Sequence, residues 1–219
     1  MKNLLGILGL LCIGCAFAPA IFAQVDGTGW TLQNINPIAD VQKPWNVPLS
    51  QRFTSGAGVY HTWVFNTDQP FSEGDTTKPR TELRLPDYTS GQWQFSAQMM
   101  VPSDTSNWCI FQIHTGDAQS PTYGSTTGML FFESSNGGSI HWYDSTELAG
   151  HLYNTWFQLN VVHDLDNHTQ YYYVNNKLIY TAADNGATDF YFKCGDYGQT
   201  GFSHEGENNI KNVKIWYQP

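Results

Sequence analysis

The chain is 219 residues long, 15% aromatic and only 13% charged, with a formal net charge of −9. That balance argues against nucleic acid and anionic membranes as partners, since both ask for a cationic face. Three arginines are present, Arg52, Arg80 and Arg84, so a polyanion would have to be met at one concentrated site, and Arg80/Arg84 is the place for it.

Met1 to Ala23 has the layout of a secretory signal, with Lys2 as the positive end, an apolar run from Leu4 to Ala18 and a small Ala23 before Gln24. A membrane anchor fits less well, because Pro19 breaks the run and a spanning helix needs about 20 apolar residues. Acylation at Cys15 is the other alternative, against which Cys12 stands where leucine is usual. Residues 24–219 suit one secreted domain, with no Pro-rich linker and no repeat.

Strand signals then follow one another. Runs rich in Val, Ile, Thr and aromatics, bounded by Gly, Asn, Asp and Ser, predict strands over Gly58–Phe65, Arg80–Leu85, Gln92–Val101 and Cys109–Thr115. Further runs cover Gly128–Glu133, Ser139–Tyr143, Thr155–His163, Thr169–Val174, Lys177–Ala182, Asp189–Lys193 and Asn209–Tyr217. Asn175-Asn176 reads as a hairpin turn, and Asp164-x-Asp166-Asn167 as a hairpin loop rather than a calcium loop. No stretch holds a helical period for three turns. This is an all-β chain, a sandwich or jelly roll of antiparallel sheets.

Three of these segments carry polar residues on one strand face. A period of two groups Arg80, Glu82 and Arg84, then Gln112 with His114, then Lys193, Tyr197 and Gln199. Phe111, Ile113, Phe192 and Cys194 take the opposite parity and point to a core. Cys109 shares parity with Phe111, so both cysteines left after signal removal are expected core-side. Cys109 and Cys194 form a candidate disulfide if the compartment is oxidising; two buried thiols are the alternative. Asn167-His168-Thr169 is a candidate N-glycosylation sequon.

Arg-Thr-Glu-Leu-Arg (80–84), Gln-Ile-His (112–114) and Tyr-Phe-Lys-x-Gly-x-Tyr-x-Gln (191–199), in this order, resemble the three signature segments of alginate lyases of polysaccharide lyase family seven. The resemblance implies a β-jelly roll whose concave sheet forms a substrate groove. By it Arg80, Gln112, His114 and Tyr197 would be catalytic, and Glu82, Arg84, Lys193 and Gln199 would bind substrate. Two departures stand out: Cys194 where alanine is usual, and Leu85-Pro86 where an acidic residue is common.

The residue types suit that chemistry. Removing the proton at C5 of a uronate builds negative charge beside a carboxylate. Arg80 and Gln112 would spread that charge as it grows, the arginine by its planar fork. His114 or Tyr197 would take the proton, and Tyr197 would supply one to the leaving oxygen. No metal and no cofactor is called for. The expected partner is an acidic polysaccharide, alginate or a related uronan such as glucuronan, met by a monomer. A binding module would instead use Trp63, Trp93 or Trp142 as platforms, and a hydrolase would need two carboxyls across a groove, where the three motifs offer only Glu82.

Overall fold

A computed structural model describes residues 29–116, 125–143 and 145–219. Met1–Ala23, expected to act as a secretory signal, lies outside the described residues. Among the described residues fifteen strands build two sheets in which every ladder is antiparallel. One sheet runs β13 (Lys177–Ala183), β12 (Thr169–Val174), β11 (Phe157–Asp164), β6 (Gln92–Met100), β15 (Glu205–Gln218), β4 (Val59–Phe65) and β3 (Phe53–Gly56). The two-residue β1 (Thr31–Leu32) also pairs with β15. The other sheet runs β10 (Glu147–Ala149), β9 (Ser139–Trp142), β8 (Thr126–Glu133), β7 (Trp108–Thr115), β14 (Phe190–Gly198), β5 (Arg80–Arg84) and β2 (Val41–Gln42). This is the expected β-jelly roll. Among the described residues the helical structure is confined to two 3-10 turns, Leu49–Gln51 and Ser135–Gly137.

Alternation along the strands explains the layering. Phe95, Ala97 and Met99 of β6 and Leu159 and Val161 of β11 meet Leu83, Phe111, Ile113, Leu130, Phe132 and Phe192 of the second sheet in one buried cluster. Phe111 lies 4.8 Å from Phe95 and 5.9 Å from Phe192, ring centre to ring centre. Truncating such a side chain to alanine leaves a cavity costing about 3–5 kcal/mol. The outward faces of β5, β7 and β14 are thereby left to Arg80, Glu82, Gln112, His114, Lys193 and Tyr197.

Two ladder irregularities flank β7 near its Cys109 end. Between Cys194 and Tyr197 β14 carries one residue more than its partner β7, and between Cys109 and Phe111 β7 carries one more than β8. Gly195, with φ +143°, sits within the first, where a Cβ would stand 2.3 Å from the Thr81 carbonyl oxygen. The second turns both Ile110 and Phe111 into the core. It also overturns the expectation for the cysteines. Cys194 lies in the core between the sheets, whereas Cys109 packs with Met129 and Phe131 on the outward face, against Tyr143 and Tyr197. Both thiols are free. A bridge through the sheet is sterically closed to them, because cysteines on opposite faces point their Cβ vectors apart.

At the far end of the other sheet, Asp164 accepts hydrogen bonds from the backbone N–H and the side-chain amide of Asn167 and closes the β11–β12 hairpin. Asn167, the sequon residue, is exposed there.

Candidate active site

The outward face of the second sheet holds a cleft of about 410 Å³. Its floor is Arg80 from β5, Gln112 and His114 from β7, and Tyr191, Lys193 and Tyr197 from β14. Gln42 of β2, Thr126 of β8 and Ser125 just before it close two sides, and the 66–79 connection adds Phe71, Asp75 and Thr77. Register brings the strands together: Lys193 sits opposite Gln112 on one side and Arg84 on the other, and Tyr197 opposite Arg80.

Glu82 is the hub beneath this floor. It is completely buried, and one carboxylate oxygen accepts a 2.5 Å hydrogen bond from the Gln112 amide. The other lies 3.5 Å from Lys193 Nζ and 3.6 Å from Arg80 Nη1. A carboxylate only accepts, so the Gln112 amide nitrogen must face it, which leaves that group one further N–H. Two cations around one anion leave one positive charge uncompensated within the trio, the complement of one incoming carboxylate. Burial lowers the Lys193 pKa, and Glu82 beside it works in the opposite direction.

Aromatic contacts hold the remaining groups. The Arg80 guanidinium lies 4.2 Å over the Tyr197 ring, and its Nη2 donates to Thr77 Oγ1. Tyr191 is stacked on His114 at 4.8 Å and carries the Arg84 guanidinium at 4.0 Å. His114 Nδ1 lies 2.8 Å from the Thr115 carbonyl, which can only accept, so the proton sits on Nδ1 and Nε2 keeps its lone pair. Burial, aided by the Lys193 charge, pushes the His114 pKa down to about 4. Burial raises the Tyr197 phenol despite the opposing pull of Arg80. At neutral pH the cleft therefore holds a neutral imidazole and an intact phenol.

Of the residues singled out in the sequence, Arg80, Gln112, His114, Lys193 and Tyr197 line this cleft. Glu82 lies under it rather than on its wall. Arg84 stands outside, paired with Asp87 at 2.5 Å and Asp40 at 3.9 Å, and reaches the cleft only through Tyr191. Gln199 lines a second, neighbouring depression. Sequence reading passed over Phe71, Asp75, Thr77, Gln42 and Tyr191. Tyr191 had a usable signal, the parity it shares with Lys193. The loop and edge residues had none, because their approach depends on how the 66–79 connection folds back.

Comparisons with known proteins agree with this architecture. A family model described as alginate lyase matches residues 26–217. A citrate-binding protein of Hevea brasiliensis is 34% identical over 179 residues, spanning 80% of this chain and 72% of that protein. The solved alginate lyase of Pseudomonas aeruginosa is 18% identical with a TM-score of 0.61, covering 76% of this chain and 86% of its own. That of Corynebacterium sp. is also 18% identical, with a TM-score of 0.60 and coverage of 86% and 93%. At such identities the two enzymes share the fold with this chain.

Proposed function

We propose, because the chain belongs to the alginate lyase family over residues 26–217, that it is a polysaccharide lyase cleaving 1,4-linked uronate polymers, alginate foremost, by β-elimination. The observation that carries this reading is the Glu82-centred cluster beside an imidazole with a free Nε2 and an intact phenol. A uronate carboxylate set against Arg80, Lys193 and the second N–H of Gln112 supplies the missing negative charge. Those donors stabilise it further as the C5–H bond breaks and the carboxylate takes on enolate character, an effect worth on the order of 100-fold in rate per donor.

His114 Nε2 takes the C5 proton. The electron pair left behind forms the C4–C5 double bond, the C4–O bond breaks, and the Tyr197 hydroxyl protonates the departing oxygen. The enzyme is left with an imidazolium and a phenolate, which solvent resets, and neither water nor a redox partner is consumed. A base and an acid on separate strands suit removal of proton and leaving group from opposite faces, which favours guluronate. Met1–Ala23 supports release from the producing cell, where a polymer too large to enter is met.

The Hevea relative supports a second reading, in which Arg80 and Lys193 over Glu82 hold a small polycarboxylate such as citrate without turnover. One experiment separates the readings. The purified chain is incubated with polyguluronate, polymannuronate and glucuronan, and the ultraviolet absorbance of the unsaturated product is followed, with citrate binding measured in parallel by calorimetry. Lyase action requires the absorbance to grow on one of these polymers. Tyr197→Phe is expected to remove turnover while leaving polymer affinity within about twofold. Citrate binding with no absorbance on any polymer overturns the lyase reading in favour of the second.

A further inference from the structure

Three strands lead out of the cleft in the same direction. β14 passes from Lys193 through Tyr197 and on to Gln199 just beyond its end, β7 from Gln112 through Cys109 toward Asn107 just before its start, and β8 from Met129 through Phe131 to Glu133. They end at a second depression of about 250 Å³ lined by Asn107, Phe131, Glu133, Tyr143, Gln199 and Thr200. Tyr197 bounds the first cleft and packs against the Cys109–Met129–Phe131 patch, so the two spaces adjoin across its ring. Gln199 lies two residues beyond Tyr197, roughly 7 Å along an extended chain, and its amide reaches back to the Tyr197 carbonyl oxygen.

The two spaces differ in charge. The first holds Arg80 and Lys193, whereas among the described residues the lining of the second contains no Lys, Arg or His and one carboxylate, Glu133. That carboxylate is partly exposed, and His141, 4.0 Å away, is already engaged by Ser139, Ser135 and the Ser145 carbonyl. The other polar groups there are the amides of Asn107 and Gln199 and the Thr200 hydroxyl, beside the Phe131 and Tyr143 rings, which meet edge-on at 5.9 Å. Amides, a hydroxyl and aromatic walls suit the hydroxyls and C–H face of a sugar. An anion there opposes a second carboxylate.

We propose that this depression receives the sugar that departs with the scissile oxygen, and that Glu133 makes it a position for a neutral sugar or an uncharged uronate. The inference rests on the elimination reading, in which Tyr197 protonates that oxygen and the departing sugar lies on the far side of its ring. Glu133 is then a specificity-determining residue. Alginate, with a carboxylate on every unit, is then cleaved against a local repulsion that an uncharged unit at this position relieves.

The test compares wild type, Glu133→Gln and Glu133→Lys on alginate and on the same polymer with about half its carboxyls methyl-esterified. Both kcat/KM and equilibrium binding are measured at low salt. Removing the charge is expected to raise kcat/KM on the fully charged polymer roughly 5- to 10-fold, with lysine above glutamine. Values on the esterified polymer should stay within about twofold, and the gain should shrink in high salt as screening sets in. Equal changes on both polymers, or none on either, overturn the proposal. If no polymer yields unsaturated product the elimination reading fails instead, and the binding series still decides whether Glu133 repels a carboxylate.

Discussion

His114 is held by two constraints that act in opposite directions on its charge. The Thr115 carbonyl steadies the protonated Nδ1, while burial and the neighbouring Lys193 ammonium make a second proton costly. The second influence wins, and the ring stays neutral down to about pH 4. An imidazole whose pKa is depressed by folding draws stability away as pH falls, so the fold is expected to weaken between the ordinary imidazole range and about pH 4. The direct check is an NMR titration of the His114 ring in the free protein, which should show its midpoint near 4 rather than near the ordinary value of roughly 6.5. Lys193→Gln should move that midpoint upward by removing a like charge, and a bound uronate oligosaccharide should do the same by adding an opposite one. A midpoint unmoved by both would contradict the electrostatic account. Tyr197 illustrates the same competition with a different partner, since burial keeps its proton on although Arg80 lies against the ring.

At the level of elements, the strands expected from residue pattern are present, and their ends are where expectation and structure part. β14 continues through Gly198, carrying Tyr197 into the sheet, and β15 begins at Glu205. β1, β2, β3 and β10 went unread because two to four residues show no period, and only pairing with a neighbour makes them strands. The Asn175-Asn176 turn was legible because both residues adopt φ near +50° and +65°, the left-handed pair that a two-residue hairpin demands. Asn175 further accepts the Gln158 N–H through its side chain and so ties the turn to β11. Asn176→Ala is expected to cost about 1 kcal/mol, lowering the thermal midpoint by roughly 2–4 °C, whereas Asn176→Gly should be neutral. Calorimetry of the two variants checks this. The cysteine pairing failed at this scale too. Alternation holds only while the ladder is regular, and one added residue in β7 carries Cys109 to the opposite face.

For the molecule as a whole, an acidic chain must bring the Arg80/Lys193 cleft to a polyanion. At a net charge of −9 the long-range field repels such a polymer, while Arg80 and Lys193 within the cleft attract it at short range. Modest salt screens the distant repulsion more than the contacts in a partly buried cleft. Activity on polyuronate is therefore expected to rise with added sodium chloride up to roughly 0.15 M, where the screening length is about 8 Å. A monotonic fall from the lowest salt would show that the local cations dominate at every distance. The residue sequence by itself determined the all-β class, the strand faces and the gathering of Arg80, Gln112, His114, Lys193 and Tyr197 as outward-facing candidates, because a period of two is a local property of the backbone. Only the tertiary structure decided that Glu82 lies beneath the cleft as an anchor, that Arg84 acts through Tyr191, that Gln199 and Glu133 share a neighbouring depression and that the thiols stand apart. Those outcomes depend on register, on irregular ladders and on loops folding across strands, which are relations between distant segments that no local pattern records.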